Sequence, residues 1–272
     1  MIEMSAQPNF EQLVVSCDGR TAHMQLNRPE RLNALSATLM KEIIEAADWF
    51  DQQPDLRVVV ISGAGKSFCA GFDIDAFGDN NQSSQGKAAG KKPADLGRLM
   101  ADSIEKMSAV AIARLHGHVV GGGVVLAAAC DLRIASADTI FSIPEVDLGI
   151  PLAWGGIPRL VREIGPALTK ELVMTCRPFD AEEAHKTGFV NKVVTSDEID
   201  TSVNALASAI ASKSKVAILS TKAHVNAVTS QMVGIARSWA DADGLEVAMA
   251  DPESQKAQAA YLAEIKKKKS DS

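Results

Sequence analysis

Apolar and polar residues alternate in two runs near the start of the chain, Leu13–Cys17 and Thr21–Leu26, on either side of Asp18-Gly19. That pattern predicts a β-hairpin closed by a tight turn. The rhythm then changes. Leu39, Ile43, Ala47 and Phe50 recur at helical spacing after Ser36, a residue suited to cap a helix, and Gln52-Gln53-Pro54 ends the pattern. Arg57–Ile61 has no polar alternation, so it reads as a parallel strand buried on both faces. Similar units follow: a helix over Leu96–Met107, a strand over Val110–Leu115, a Gly-rich turn and an apolar helix over Val124–Cys130. Strands are predicted at Leu132–Ala135, Ile140–Ile143 and Val190–Val194, with helices at Gly156–Ile164, Pro166–Thr175 and Ala181–Lys186. Everything beyond Ser196 reads as helix. The expectation is an α/β core over residues 1–195 and an all-helical subdomain over residues 196–272. Apolar residues in that tail (Val247, Met249, Ala250, then Ala257, Tyr261 and Ile265) are placed to cover its own core or a second subunit. Gly78–Ala94 is rich in Gly, Asn, Gln, Ser and Lys and reads as a surface loop inside the domain.

Composition narrows the field. With 272 residues, 46% hydrophobic and 23% charged, the chain is neither disordered nor a small disulfide scaffold. A net charge of −6 argues against a nucleic-acid partner, because a polyphosphate backbone selects a basic face. Cys17, Cys69, Cys130 and Cys176 are widely spaced and read as reduced thiols. No stretch approaches ~20 uninterrupted apolar residues, so no membrane span is expected. The first residues lack an apolar signal core and Ser270-Asp271-Ser272 is no peroxisomal address, which makes the cytoplasm the expected location.

Several motifs imitate chemistry and fail. Ser62-Gly63-Ala64-Gly65-Lys66-Ser67 looks like the end of a phosphate-binding loop, but Val60 stands where its first glycine belongs. Gly121-Gly122-Gly123 opens a helix after a strand, yet Leu126 occupies the third glycine position of a dinucleotide fingerprint. His116 and His118 read as packed or capping histidines, and no cluster has metal-ligand spacing, so no metal is expected.

Three pieces survive: Phe68–Ile74 (FCAGFDI), His116–Ala127 (HGHVVGGGVVLA) closing with Cys130-Asp131, and Phe141–Pro151 (FSIPEVDLGIP) followed by Gly155-Gly156 and Arg159-Leu160. Together with Leu26–Leu35 (LNRPERLNAL) they resemble, in order and spacing over roughly residues 12–195, the crotonase superfamily of enoyl-CoA hydratases and isomerases. The tail Lys256–Lys269, with Tyr261-Leu262 inside it, is similar in character to the C-terminus of mitochondrial Δ3,Δ2-enoyl-CoA isomerases. The resemblance implies a spiral of ββα units, an acyl-CoA substrate with no further cofactor, and a trimer or dimer of trimers.

The resemblance also assigns roles. The N–H groups of Phe72 and Gly122 would form an oxyanion hole for the thioester carbonyl, and Gly122 sits where a helix N-terminus favours negative charge. Family hydratases use two glutamates. Here the second is Glu145, while the first position holds Val125, which neither orients water nor carries a proton. One carboxylate suffices for a Δ3 to Δ2 double-bond shift, and a dry surrounding would raise the Glu145 pKa toward that of a working base. Asp147 is a weaker candidate for the missing acid. Dienoyl isomerases and aromatic dehalogenases of the family carry an aspartate eight positions after the glutamate, where this chain has Ala153. Candidates for CoA or substrate contact are Arg28, Arg31, Ala70, Asp73, Ile74, Gly121, Trp154 and Lys222, with Trp154 equally readable as core packing. The leading expectation is an isomerase using Glu145 alone; a 2-enoyl-CoA hydratase and a non-catalytic acyl-CoA-binding protein stay open as alternatives.

Overall fold

The computed structural model describes residues 6–73, 95–234 and 240–270, the side chains of 268–270 excepted. The expected surface loop at Gly78–Ala94 therefore lies outside the described residues, as does Ile74. The hairpin forms as β1 (Leu13–Asp18) and β2 (Thr21–Leu26), with Gly19 at φ +59° in the turn. Ser36 accepts a hydrogen bond from the Leu39 N–H at 3.0 Å and caps α1 (Ala37–Asp51), which buries Leu39, Ile43, Ala47 and Phe50. β3 (Val58–Gly63) then joins β2 in parallel.

The remaining core elements are α2 (Leu96–Lys106), β4 (Val110–Leu115), β5 (His118–Val120), α3 (Gly122–Ala129), β6 (Leu132–Ser136) and β7 (Ile140–Ser142). α4 (Gly156–Thr175) follows, with a break at Gly165 that matches the two helices expected there. β8 (Phe179–Asp180), α5 (Ala181–Lys186) and β9 (Lys192–Val194) complete the α/β region. The main sheet has the order β1-β2-β3-β4-β6-β9 and is parallel after the hairpin; a smaller sheet has the order β5-β7-β8. Two short strands, β5 and β8, were not expected from the pattern; at three and two residues they are too brief to show a period.

β3 explains its own apolar run. Val59 and Ile61 enter the large core under α1, α2 and α3, whereas Val58 and Val60 enter a second core on the opposite face. That second core is roofed by α6 (Ile199–Ala211) through Ile199, Val203 and Ala207. The tail continues as α7 (Lys215–Met232), α8 (Asp241–Ala250) and α9 (Pro252–Ser270). Among the described residues no helix is long and apolar enough to cross a membrane.

Asn33 fixes the turn between β2 and α1. It is fully buried at φ +57°, its Oδ1 accepts from the Arg28 N–H at 2.9 Å, and its Nδ2 donates to the carbonyls of Ala64 and Ser67, both at 2.8 Å. This ties the segment after β2 to the segment after β3, from which the site is built. Asn33→Ala removes three hydrogen bonds and leaves an alanine at a left-handed position, so urea denaturation should show a loss of about 2–4 kcal/mol.

Candidate active site

The site is built where the loop after β3 meets the N-terminus of α3. Leu35 N–H donates to the Gly71 carbonyl at 2.7 Å and the Leu35 carbonyl accepts from Asp73 N–H at 3.2 Å, forming a parallel bridge with Phe72 between them. The Gly71 carbonyl and the Phe72 N–H belong to one trans peptide, so the Phe72 N–H points away from Leu35. The same reasoning applies one element further. The Gly121 carbonyl accepts from Val124 and Val125 N–H at 2.8 and 3.1 Å, so the Gly122 N–H points out of the helix end. A Cβ placed on Gly71 would lie 2.8 Å from the Val120 carbonyl oxygen and 3.7 Å from Gly122 N, which brings the two peptides side by side.

Each glycine of the triple faces a different neighbour. A Cβ on Gly123 would strike the Cys69 carbonyl at 2.7 Å, which is tight packing of helix on strand. At Gly122 it would strike the Trp154 ring at 2.3 Å, and at Gly121, where φ is +49°, the Glu145 carboxylate at 2.4 Å. Packing alone thus accounts for one of the three. The other two make room for an indole and a carboxylate at the helix end.

Glu145 follows β7 in the turn that begins at Pro144. Its Oε2 is buried and has no hydrogen-bond partner among the described residues, and burial pushes its pKa from 4.5 up to about 7, against a smaller opposing pull from its own main-chain N–H. Val125 is 1% exposed and packs where a Cβ on Gly156 would meet its Cγ2 at 2.9 Å, beside Leu152. The position where the resemblance puts a second acid is therefore filled by hydrocarbon. Ala153 is also buried, and Asp147 is exposed to solvent. Trp154 meets the Phe72 ring edge-on at a centroid distance of 5.9 Å. Phe72, Gly121, Gly122, Glu145 and Trp154 are brought into one place, as their motifs suggested.

The basic candidates fare differently. Arg28 donates to Asp73 Oδ2 at 2.8 Å and to the Ala34 carbonyl, with its side chain only 13% exposed. It braces the turn that carries Phe72, with the Asp73 side chain as its counter-ion. Arg31 reaches the same carboxylate at 3.4 Å and is more exposed. The Ala70 N–H is taken by the Leu32 carbonyl at 2.9 Å. Lys222 corrects the expectation most clearly. It is buried, pairs with Asp131 Oδ2 at 2.7 Å and donates to the Ala109 carbonyl at 2.8 Å, so it anchors α7 to the core and does not reach for a ligand. His116 is a packed histidine, as expected: Arg114 donates to its Nδ1 at 2.9 Å, which leaves Nε2 to donate to the Gly65 carbonyl at 3.0 Å. A polar cavity of about 420 Å³ beside His116 opens on the α6 side of the sheet, between His23, Gln25, Ser62 and the Arg114–Asp200 ion pair. All four cysteines are free, with the Cys69 and Cys130 thiols pushed up to about 12 by burial. Among the described residues no group of His, Cys, Asp or Glu could hold a metal.

The family model for enoyl-CoA hydratase/isomerase matches residues 18–270. The chain belongs to the enoyl-CoA hydratase/isomerase family. Its relatives include the peroxisomal Delta(3,5)-Delta(2,4)-dienoyl-CoA isomerase of Arabidopsis thaliana, 39% identical over 81% of this chain and 82% of that one. Another is the crotonyl-CoA hydratase of Syntrophomonas wolfei, 36% identical over 89% and 92%. The crystal structure of an enoyl-CoA hydratase/carnithine racemase from Magnetospirillum magneticum superposes with a TM-score of 0.75 over 81% of this chain and 82% of that one, at 30% identity. An enoyl-CoA hydratase/isomerase structure from Mycobacterium paratuberculosis shares the fold, with a TM-score of 0.82 over 91% and 97% at 24% identity. The fold is thus the crotonase-like α/β spiral, and the family acts on acyl-CoA thioesters.

Membership in this family sharpens the Lys222 correction. Lys222→Met strands the Asp131 carboxylate in the core and should cost about 2–3 kcal/mol in urea denaturation, while acyl-CoA affinity stays within about twofold of wild type in calorimetric titration.

Proposed function

We propose that this family member shifts a double bond from the 3,4 to the 2,3 position of an acyl-CoA, using Glu145 as its sole acid and base. The observation that carries the reading is the Glu145 carboxylate seated against Gly121 at the α3 N-terminus, with Val125 where a second acid would stand. In the reaction Glu145 takes a proton from C2, and negative charge moves onto the thioester oxygen. The N–H groups of Phe72 and Gly122 hold that charge. The electron pair then returns as the C2–C3 double bond while the C3–C4 π pair takes the proton back from Glu145 at C4. No water is consumed, so a dry wall at Val125 suits the step.

The named relatives supply the competitors. A dienoyl isomerization moves charge across five carbons, and the resemblance assigns it an aspartate at the position of Ala153; the methyl there removes that proton carrier. Hydration needs a positioned water, for which the resemblance assigns a glutamate at Val125. Self-association of the chain fits the stripe of exposed Val225, Val228 and Met232 along α7.

Purified protein incubated with a 3-enoyl-CoA should form the 2-enoyl product, and a 2-enoyl-CoA should stay unhydrated on the same time scale. Rapid hydration would reassign the chain as a hydratase. Absence of turnover on both substrates, with acyl-CoA binding intact, would make it a binding protein. Glu145→Gln should abolish turnover and leave acyl-CoA binding in place.

The raised carboxyl pKa gives two further expectations. The base works ionised, so kcat should climb with pH through about 7 and then level off. The sign for stability is opposite. The folded protein holds the Glu145 proton more tightly than the unfolded chain does, so folding loses stability as pH rises from about 4.5 to about 7, by about 3 kcal/mol at most. Glu145→Gln should therefore be more stable than wild type at pH 8, with the gain shrinking as pH falls toward 5, as measured by urea denaturation.

A further inference from the structure

Trp154 is a bulky side chain in a backbone conformation that bulky residues avoid, with φ at +60°. Two opposite charges hold it there. The Trp154 carbonyl and the Gly155 N–H are the two ends of one peptide unit. Arg159 Nη1 donates to the carbonyl at 3.1 Å, and Asp241 Oδ2 accepts from the N–H at 2.8 Å. Arg159 is itself fully buried, with its guanidinium on Asp102 Oδ1 at 2.9 Å and Glu105 Oε2 at 2.6 Å. The peptide is pinned from α2 and α4 on one side and from α8 on the other.

Pinning that peptide throws the indole onto the helix end. A Cβ on Gly97 of α2 would lie 2.0 Å from the ring and one on Gly122 would lie 2.3 Å from it, so the indole is wedged between two backbones. The Phe72 ring also meets it, edge-on at 5.9 Å. Both residues whose N–H groups face the thioester oxygen in the proposed reaction therefore lean on the same indole. The geometry points to Trp154 as the positioning residue of the oxyanion hole, fixing the separation of the Phe72 and Gly122 peptides. Arg159 and Asp241 act through it. This role rests on the oxyanion hole of the proposed function, though not on which double bond is moved.

A 3-oxoacyl-CoA tests it directly, because its bound enolate absorbs in the near ultraviolet and reports negative charge stabilised in the site without turnover. Wild type should show the enolate band. Trp154→Ala should lose most of the band and lower kcat by roughly tenfold to a hundredfold, less than the roughly hundredfold to thousandfold for outright loss of one oxyanion donor, with KM and saturated acyl-CoA affinity little changed. Trp154→Phe should recover part of both, and Asp241→Ala should weaken the band in the same direction. Full retention of the band and of kcat in Trp154→Ala would overturn the role. A loss of saturated acyl-CoA affinity equal to the loss of kcat would overturn it too, by making the indole a binding wall. If Trp154→Ala fails to fold, the Phe variant decides: a wild-type band and kcat there refutes the role, and a partial loss with unchanged KM supports it. A wild-type enolate band without 3-enoyl turnover would refute the isomerase reading and leave the positioning role standing.

Discussion

A carboxylate oxygen that finds no partner among the described residues, buried beside the end of a helix, is the constraint around which this molecule is arranged. Two influences act on Glu145 in opposite directions. The N-terminal end of α3 favours its charged form, an effect of about 0.3–1 kcal/mol at exposed sites and about 2 kcal/mol in partly buried ones. Burial disfavours the charge, and a pKa near 7 in place of 4.5 corresponds to about 3 kcal/mol, so burial wins. A base of that strength is half-ionised near neutrality and ready both to take and to give a proton. The buried length of α3 contributes to this balance. Every residue from Gly122 to Ala129 is buried, and Arg133 donates to the Ala127 and Cys130 carbonyls at 3.3 and 2.7 Å, closing the negative end of the helix.

Much of this was legible in the chain. The hairpin, the Ser36 cap, the uninterrupted β3 run and the apolar α3 each follow from local pattern, and the structure contains them where the pattern put them. The family resemblance also pointed to Phe72, Gly121, Gly122, Glu145 and Val125, which sit in α3 or on loops next to these elements. Asn33 was part of a recognised motif, yet two of its three hydrogen bonds reach residues 31 and 34 positions away, and nothing local announces them.

What sequence reading missed were side chains whose meaning depends on distant partners. Lys222 meets Asp131 across the core, and Arg28 meets Asp73 across two strands. Both look like surface cations when only their own helix or turn is considered. Trp154 is ambiguous for a different reason. An aromatic residue next to two glycines suits a wall or a core equally, and only the positive φ, with a charge at each end of its peptide, separates the readings.

These inward-turned cations change how recognition of an acyl-CoA is to be understood in an acidic chain. With Arg28 and Lys222 consumed by Asp73 and Asp131, two charges expected to contact CoA or substrate instead stiffen the frame. Arg28 braces the very turn that presents the Phe72 N–H, and Arg159 steadies the peptide behind Trp154. A buried ion pair adds little net stability over a hydrocarbon of the same shape, but it fixes geometry, since either partner alone in the core is expensive. Fixed geometry is what a charge-holding site needs: donors already in place when the negative charge arrives do not have to reorganise around it. In the proposed reaction Arg28 and Arg159 therefore serve the thioester oxygen indirectly, by holding still the backbone that would meet it.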